Sequence, residues 1–223
     1  MGVRRVIALA VLSLGLSAPA TAQVLAPSLD EVPLADLLEI LVLERELVAV
    51  DAAGGGQTVV ALNLGEQVVW SGARGKVGVV LTDQRALAVA VESAAWREMR
   101  FQRAERPPEE AMLGDRVALV VTSKRALAFN AGGARFLEYR LGTGETLLAS
   151  RVGENVCVVV TDRKVLGFSP SAGRFFESRL QPRERVASVE ARSNLVTVST
   201  DRRVLIFRAP SGAWSERKLD LGS

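Results

Sequence analysis

The 223-residue chain has no histidine, a single cysteine, and 28 basic against 25 acidic residues. Without histidine, Ser-His-Asp and Cys-His catalysis, the commonest general base and most zinc and copper sites are closed off. One cysteine excludes an intrachain disulfide, so stability must come from packing within what length and composition predict to be one domain.

The chain opens with the basic Met1–Arg5, continues through an apolar run from Val6 to Leu16, and reaches the small-residue stretch Ser17–Ala22, which ends in Ala20-Thr21-Ala22. That order predicts a secretory signal peptide over residues 1–22, cleaved after Ala22. A run of eleven residues is too short for a permanent membrane helix, and no later segment is long and apolar enough to cross a membrane. The expected mature protein, residues 23–223, is periplasmic or secreted, with no stable membrane insertion. Losing Arg4 and Arg5 lowers the net charge from +3 to +1. No segment clusters Lys and Arg as phosphate binding requires, which argues against nucleic acid.

Downstream, Ser28-Leu-Asp-Glu31 has the form of a capping box, with Leu34, Leu37, Leu38 and Leu41 at helical spacing. Repeat register gives the competing reading. Val77–Val89 recurs as Val117–Phe129, Val156–Phe168 and Leu195–Phe207, and the marker threonines Thr82, Thr122, Thr161 and Thr200 are spaced 40, 39 and 39. Fourteen residues after each threonine stands an aromatic (Trp96, Phe136, Phe175, Trp214). Sixteen after stands a glutamate (Glu98, Glu138, Glu177, Glu216), and eighteen after a base (Arg100, Arg140, Arg179, Lys218). Leu38–Val50 joins this register as a degenerate first copy, with Leu43 at the threonine position and Gln57–Leu64 and Glu66–Trp70 as its third and fourth strands. The approximate repeats are 38–75, 76–115, 116–154, 155–193 and 194–223.

Each copy reads as four short strands. In the 155–193 copy the first, Val156–Thr161, is almost continuously apolar and β-branched, which predicts burial on both faces. Its second position is small in most copies (Gly78, Ala118, Cys157, Val196), as a crowded strand needs. After a tight turn come Val165–Phe168, Arg174–Leu180 and Arg185–Glu190. The last copy stops at its third strand. Asp30–Leu34 is the expected source of the missing fourth, lying beside Ala213–Leu219 and closing a ring.

From residue 38 to 219 the chain resembles β-propeller repeat proteins in general, although it carries neither the Trp-Asp dipeptide of WD repeats nor the Gly-Gly pair of kelch strands. The resemblance implies an all-β disc of about five four-stranded blades, with ligands held over a central channel by loops from several blades. If Ser28–Glu46 is helical instead, the expectation is four blades with an N-terminal helix.

Most conspicuous side chains read as scaffold. The repeated glutamates share a strand face with the aromatics and bases and pair with them or with Arg85, Arg125, Lys164 and Arg203. Asp83, Asp162 and Asp201, with Ser123 in the second copy, cap backbone N–H groups at hairpin turns; one carboxylate beside a base is poor calcium chemistry. Cys157 reads as an inert apolar thiol. Gly54–Gly56 and Asn130–Gly133 lack the Gly-Lys-Ser/Thr that a phosphate loop requires. No catalytic, cofactor or metal residue emerges.

The expected function is an exported, non-catalytic binding or assembly module with a protein partner. The varying connections supply its candidate surface: Ser71–Lys76, Arg151–Asn155 and Ala191–Asn194, with Ala131–Arg135 and Pro170–Arg174. The residues singled out are Trp70, Arg74, Lys76, Tyr139, Arg151, Glu154, Asn155, Arg192 and Asn194. A glycan lectin is the alternative, requiring Trp70 or Tyr139 to be exposed beside a pocket. A hydrolase or lyase would require unique carboxylates, such as Asp51 and Glu154, to meet at the channel mouth.

Overall fold

The computed structural model describes residues 37–219 except 53, 94 and 104. The expected signal peptide and the Asp30–Leu34 closing strand lie outside the described residues. Within them the chain is all-β, apart from a short 3-10 turn at Ala131–Gly133.

Nineteen strands form five antiparallel sheets in chain order. The first is β1 (Leu38–Val42), β2 (Glu46–Asp51) and β3 (Gln57–Ala61). The second is β4 (Val68–Arg74), β5 (Val77–Thr82), β6 (Arg85–Ala90) and β7 (Arg97–Arg100). The third is β8 (Met112–Leu113), β9 (Val117–Val121), β10 (Arg125–Asn130) and β11 (Arg135–Arg140). The fourth is β12 (Leu147–Val152), β13 (Cys157–Thr161), β14 (Lys164–Ser169) and β15 (Arg174–Arg179). The fifth is β16 (Val186–Ala191), β17 (Leu195–Thr200), β18 (Arg203–Arg208) and β19 (Ala213–Lys218). These sheets are β-propeller blades, each stacked on the next.

The sheets are offset by one strand from the sequence repeats. The strand near Arg185–Glu190 pairs with β17, so it opens the fifth sheet rather than ending the fourth. Likewise the segment near Glu66–Trp70 opens the second sheet, as β4 on β5. The offset follows from the connections: β16 reaches β17 through a tight turn at Arg192–Asn194, whereas a longer loop separates it from β15. The last sheet is therefore complete, and the first shows only three strands among the described residues.

The helical reading of the leucines fails within the described part. Leu38 is buried against the second sheet, whereas Leu41 is exposed. In an extended strand, positions three apart point to opposite faces. The five-sheet count stands.

Central strands carry the stability. All residues of β5 and β6 are buried, because sheets cover both faces. Val77, Val79, Leu127 and Phe129 fill the space between the second and third sheets. Val159, Leu166 and Phe168 pack between the third and fourth, and Val158, Val160, Val198 and Phe207 between the fourth and fifth. Complete burial of one such side chain is worth about 1.5–3 kcal/mol. The second position of the repeat must be small because neighbours come close: a Cβ on Gly78 would lie 2.7 Å from the Ile40 side chain. In the fifth sheet, Thr197 and Ser199 replace Val158 and Val160 of the fourth, and its central strands alternate between buried and half-buried residues.

At one end of the stack a buried charge cluster recurs. Glu66 accepts from the Arg85 Nε at 2.8 Å, the Thr82 hydroxyl at 2.7 Å and the Asn63 backbone N–H at 2.7 Å. Arg85 also donates to Glu98 and, at 3.0 Å, to the Ala61 carbonyl of the first sheet. The same arrangement joins Glu105, Thr122, Arg125 and Glu138, and again Glu184, Thr200, Arg203 and Glu216. Burial alone raises the Glu66, Glu105 and Glu184 carboxyls. Hydrogen bonds from the arginines, threonines and backbone outweigh it, so all three sit below the usual carboxylate value.

Pairing of Glu98, Glu138 and Glu216 with the turn bases was readable from the sequence; the inner Glu66, Glu105, Glu145 and Glu184 were missed. Their signal was present as glutamates spaced 39, 40 and 39, in a loop whose composition hides the repeat. In the first sheet Leu43 and Glu46 replace the threonine and arginine. Only the turn itself survives there, as a bond from the Leu43 N–H to the Glu46 carbonyl.

Candidate functional site

The opposite end of the stack gathers the connections that vary between copies. Tight turns between the first two strands of successive sheets touch through their backbones. The Lys76 N–H donates to the Asp115 carbonyl at 2.7 Å, Arg116 to Glu154 at 2.9 Å, and Asn155 to Ser193 at 2.8 Å. These bonds make one ridge across the second to fifth sheets. Close approach dictates Gly153, where a Cβ would fall 1.9 Å from the Arg192 carbonyl oxygen.

A second ridge runs alongside, built from the connections between each sheet's last two strands. Asn130 is buried; its Oδ1 accepts from the Gly132 N–H, and its Nδ2 donates to the Pro170 carbonyl at 2.9 Å. Ser169 repeats this step, donating to the Ala209 carbonyl at 2.5 Å. Cross-links tie the ridges together: the N–H groups of Val91, Ala131 and Ala209 reach the carbonyls of Lys76, Arg116 and Asn194. In the fourth sheet the corresponding residue is Pro170. It has no N–H, so the Asn155 carbonyl receives no such bond.

Between the ridges lies an open cleft of about 580 Å³ spanning the third, fourth and fifth sheets. Arg116, Asn155 and Asn194 line it from one side, and Asn130, Arg135 and Ser171 from the other. Arg116 and Arg135 are exposed, and neither forms an ion pair among the described residues. No Asp or Glu lines the cleft. The nearby Glu92 is held by Lys76, whose hydrogen bond, with some help from the charge of Arg116, lowers its carboxyl below the ordinary value. The Asn155 Oδ1 is buried without a hydrogen-bond partner among the described residues.

The structure brings only part of the sequence-predicted surface into this cleft. Asn155 and Asn194 line it. Arg74, Lys76, Arg151, Glu154 and Arg192 belong to the same end but not to the lining. Arg74 pairs with Asp115 at 2.9 Å, Lys76 with Glu92, and Arg192 with Glu190 at 3.4 Å. Arg151 donates to the Ser150 carbonyl, and Glu154 is exposed. Arg135 ends the expected Ala131–Arg135 connection without standing out in it, whereas Arg116 lies outside every expected connection, and nothing in sequence marks it among so many arginines.

Trp70 and Tyr139 lie apart from the cleft. Trp70 is half-buried against the core between the second and third sheets, and Tyr139 packs between the third and fourth at the charge-cluster end. Neither lines the cleft. Both lie within strands, where an aromatic's apolar face is drawn into the contact between sheets. Asp51 and Glu154 belong to the first and fourth sheets and line no common cavity.

The remaining conspicuous residues behave as scaffold. The Oδ1 of Asp83, Asp162 and Asp201 accepts from the backbone N–H of Gln67, Thr146 and Arg185 at 2.9–3.0 Å. Trp96 and Trp214 are half-buried and donate to the Thr58 and Phe176 carbonyls of the preceding sheets. Cys157 is completely buried, which pushes its thiol far above the usual value and keeps it protonated.

No family model matches the chain, and no curated protein matches it in sequence. Among solved structures it is similar to apo AztD from Citrobacter koseri, at 15% identity over 82% of this chain and 60% of that one, with a TM-score of 0.37. It is similar to the WD40 domain of SCAP from fission yeast, at 14% identity over 83% and 56% of the two chains, TM-score 0.37. It is also similar to Prp20p from Saccharomyces cerevisiae, at 10% identity over 76% and 56%, TM-score 0.40. The chain thus spans less than two thirds of the length of each of these structures.

Proposed function

We propose that this protein is an exported, non-catalytic binding module that takes a protein partner on the cleft end of its sheets. One contrast carries the reading. The repeated glutamates are paired with bases in the scaffold, whereas Arg116 and Arg135 line one carboxylate-free cleft with no ion pair among the described residues, beside Asn155, whose buried Oδ1 accepts no hydrogen bond there. Charges and acceptors that a fold leaves unspent on a rigid frame are the groups a ligand engages. Export is supported by the basic, apolar and small-residue order of residues 1–22.

A site-specific photo-crosslinker tests the binding surface in cells. Placed at Arg135, it should give discrete protein adducts; placed at Arg163, exposed at the opposite end, it should give none. Equal labelling at both positions, or none at either, would overturn the assignment. Fractionation and N-terminal sequencing test export: the protein should leave the cytoplasm and begin at Gln23.

A further inference from the structure

The geometry points to an acidic peptide segment of the partner as the occupant of this cleft, an inference that rests on the binding reading above. Two kinds of unused group coexist there. Arg116 and Arg135 present guanidinium donors with no ion pair among the described residues; planar guanidinium forks suit carboxylates. Asn155 presents the opposite need. Its Oδ1 is buried without a donor, and Pro170 lacks the N–H that closes on the carbonyl in the neighbouring sheets. An unsatisfied acceptor is costly, and a small turn of the Asn155 side chain at the cleft wall would let a ligand's donor satisfy it.

A ligand must therefore bring negative charge and hydrogen-bond donors together, over a length that crosses three sheets. Inorganic phosphate or sulfate supplies the charge but spans none of that length. An acidic glycan supplies charge and hydroxyls, but it is held by dense clusters of Lys and Arg, and only two bases line the cleft. A peptide carrying Asp or Glu supplies carboxylates for the arginines and backbone N–H groups for Asn155. The side chains of Asn194 and Ser171 then offer it further polar contacts.

Fluorescence anisotropy on the mature full chain decides this, using a labelled ten-residue peptide of alternating Asp and Ser and its Asn-for-Asp counterpart. The acidic peptide should bind at least about tenfold more tightly, and weaken as salt rises. Arg116→Gln and Arg135→Gln should each weaken it about tenfold with unchanged melting, since both side chains are exposed. Pro170→Ala, which restores the missing N–H, should weaken binding severalfold. Arg163→Gln should change nothing.

Equal binding of the two peptides, or loss with Arg163→Gln as well, would overturn the proposal. So would complete competition by inorganic phosphate or free aspartate at concentrations equal to the peptide's, which would mean a small-anion site. If neither peptide binds while the Arg135 crosslinker still gives adducts in cells, the peptide assignment falls and the binding surface stands.

Discussion

Tyr139 of the third sheet donates its hydroxyl to Glu177 of the fourth at 2.6 Å while accepting from Lys164 at 3.0 Å. In three other sheets an arginine bridges both glutamates directly. Lys164 has one nitrogen; it reaches Glu145 at 3.4 Å and passes its remaining reach through Tyr139. The Lys164 ammonium also lies 5.0 Å from the tyrosine ring centroid. The Tyr139 phenol is raised by burial and by its bond to Glu177, whose carboxyl is correspondingly lowered.

Tyr139→Phe should therefore cost about 1–2 kcal/mol, the lower part of the range for bonds to charged groups because Glu177 is partly exposed. Adding Lys164→Arg should recover most of that loss, since arginine at this position reaches both carboxylates elsewhere. Urea titrations of the single and double variants measure the coupling. Additive losses would show that the tyrosine does not stand in for a guanidinium.

The inner and outer glutamates should differ in weight. The Glu105 side chain is 0% exposed and faces Arg125, whereas Glu138 is 24% exposed and shared with Arg140. Glu105→Gln strands a buried guanidinium and should cost about 3–5 kcal/mol. Glu138→Ala should cost about 1 kcal/mol. Equal shifts in the denaturation midpoint would contradict the assigned roles.

Acid should unfold the protein through the same cluster. Glu66, Glu105 and Glu184 all sit below the usual carboxylate value in the folded chain. The unfolded state then binds more protons than the folded one as pH falls, so stability rises with pH across that window. Stability should be fully present above about pH 5.5 and decline below the unfolded value of about 4.3. Equilibrium unfolding from pH 7 to 3 should show a shallower acid decline for Glu105→Gln than for wild type.

Gly153→Ala places a methyl group against the Arg192 carbonyl and must part the first ridge. A loss of about 1–3 kcal/mol is expected, together with weaker binding of the acidic peptide. Gly56→Ala, with open space around it, should stay within about 0.5 kcal/mol of wild type. Differential scanning calorimetry on both variants checks the contrast.

Several features of this protein were determined by its sequence alone. Threonine spacing and β-branched runs specified repeated all-β units, because strands buried on both faces must be apolar at every position. Charges recurring at fixed offsets from Thr82, Thr122, Thr161 and Thr200 had to be scaffold, and all four outer glutamates pair with expected arginines, Glu177 through Arg179 alone. The tertiary structure decided where the units begin. Sequence period is indifferent to which neighbour a strand pairs with, so only the hydrogen bonds of β16 to β17 reveal the one-strand offset. It also supplied the candidate site. Arg116 and Arg135 look like any other arginines in the chain, and what sets them apart is that no carboxylate lines the cleft they share. Trp70 and Tyr139 stood out by composition, yet packing between sheets consumes both. Periodicity reports what every copy shares, whereas a binding site arises where copies differ and loops converge. Pro170 shows the distinction: in sequence it is an ordinary turn residue, and only beside Asn155 does its missing N–H acquire a consequence.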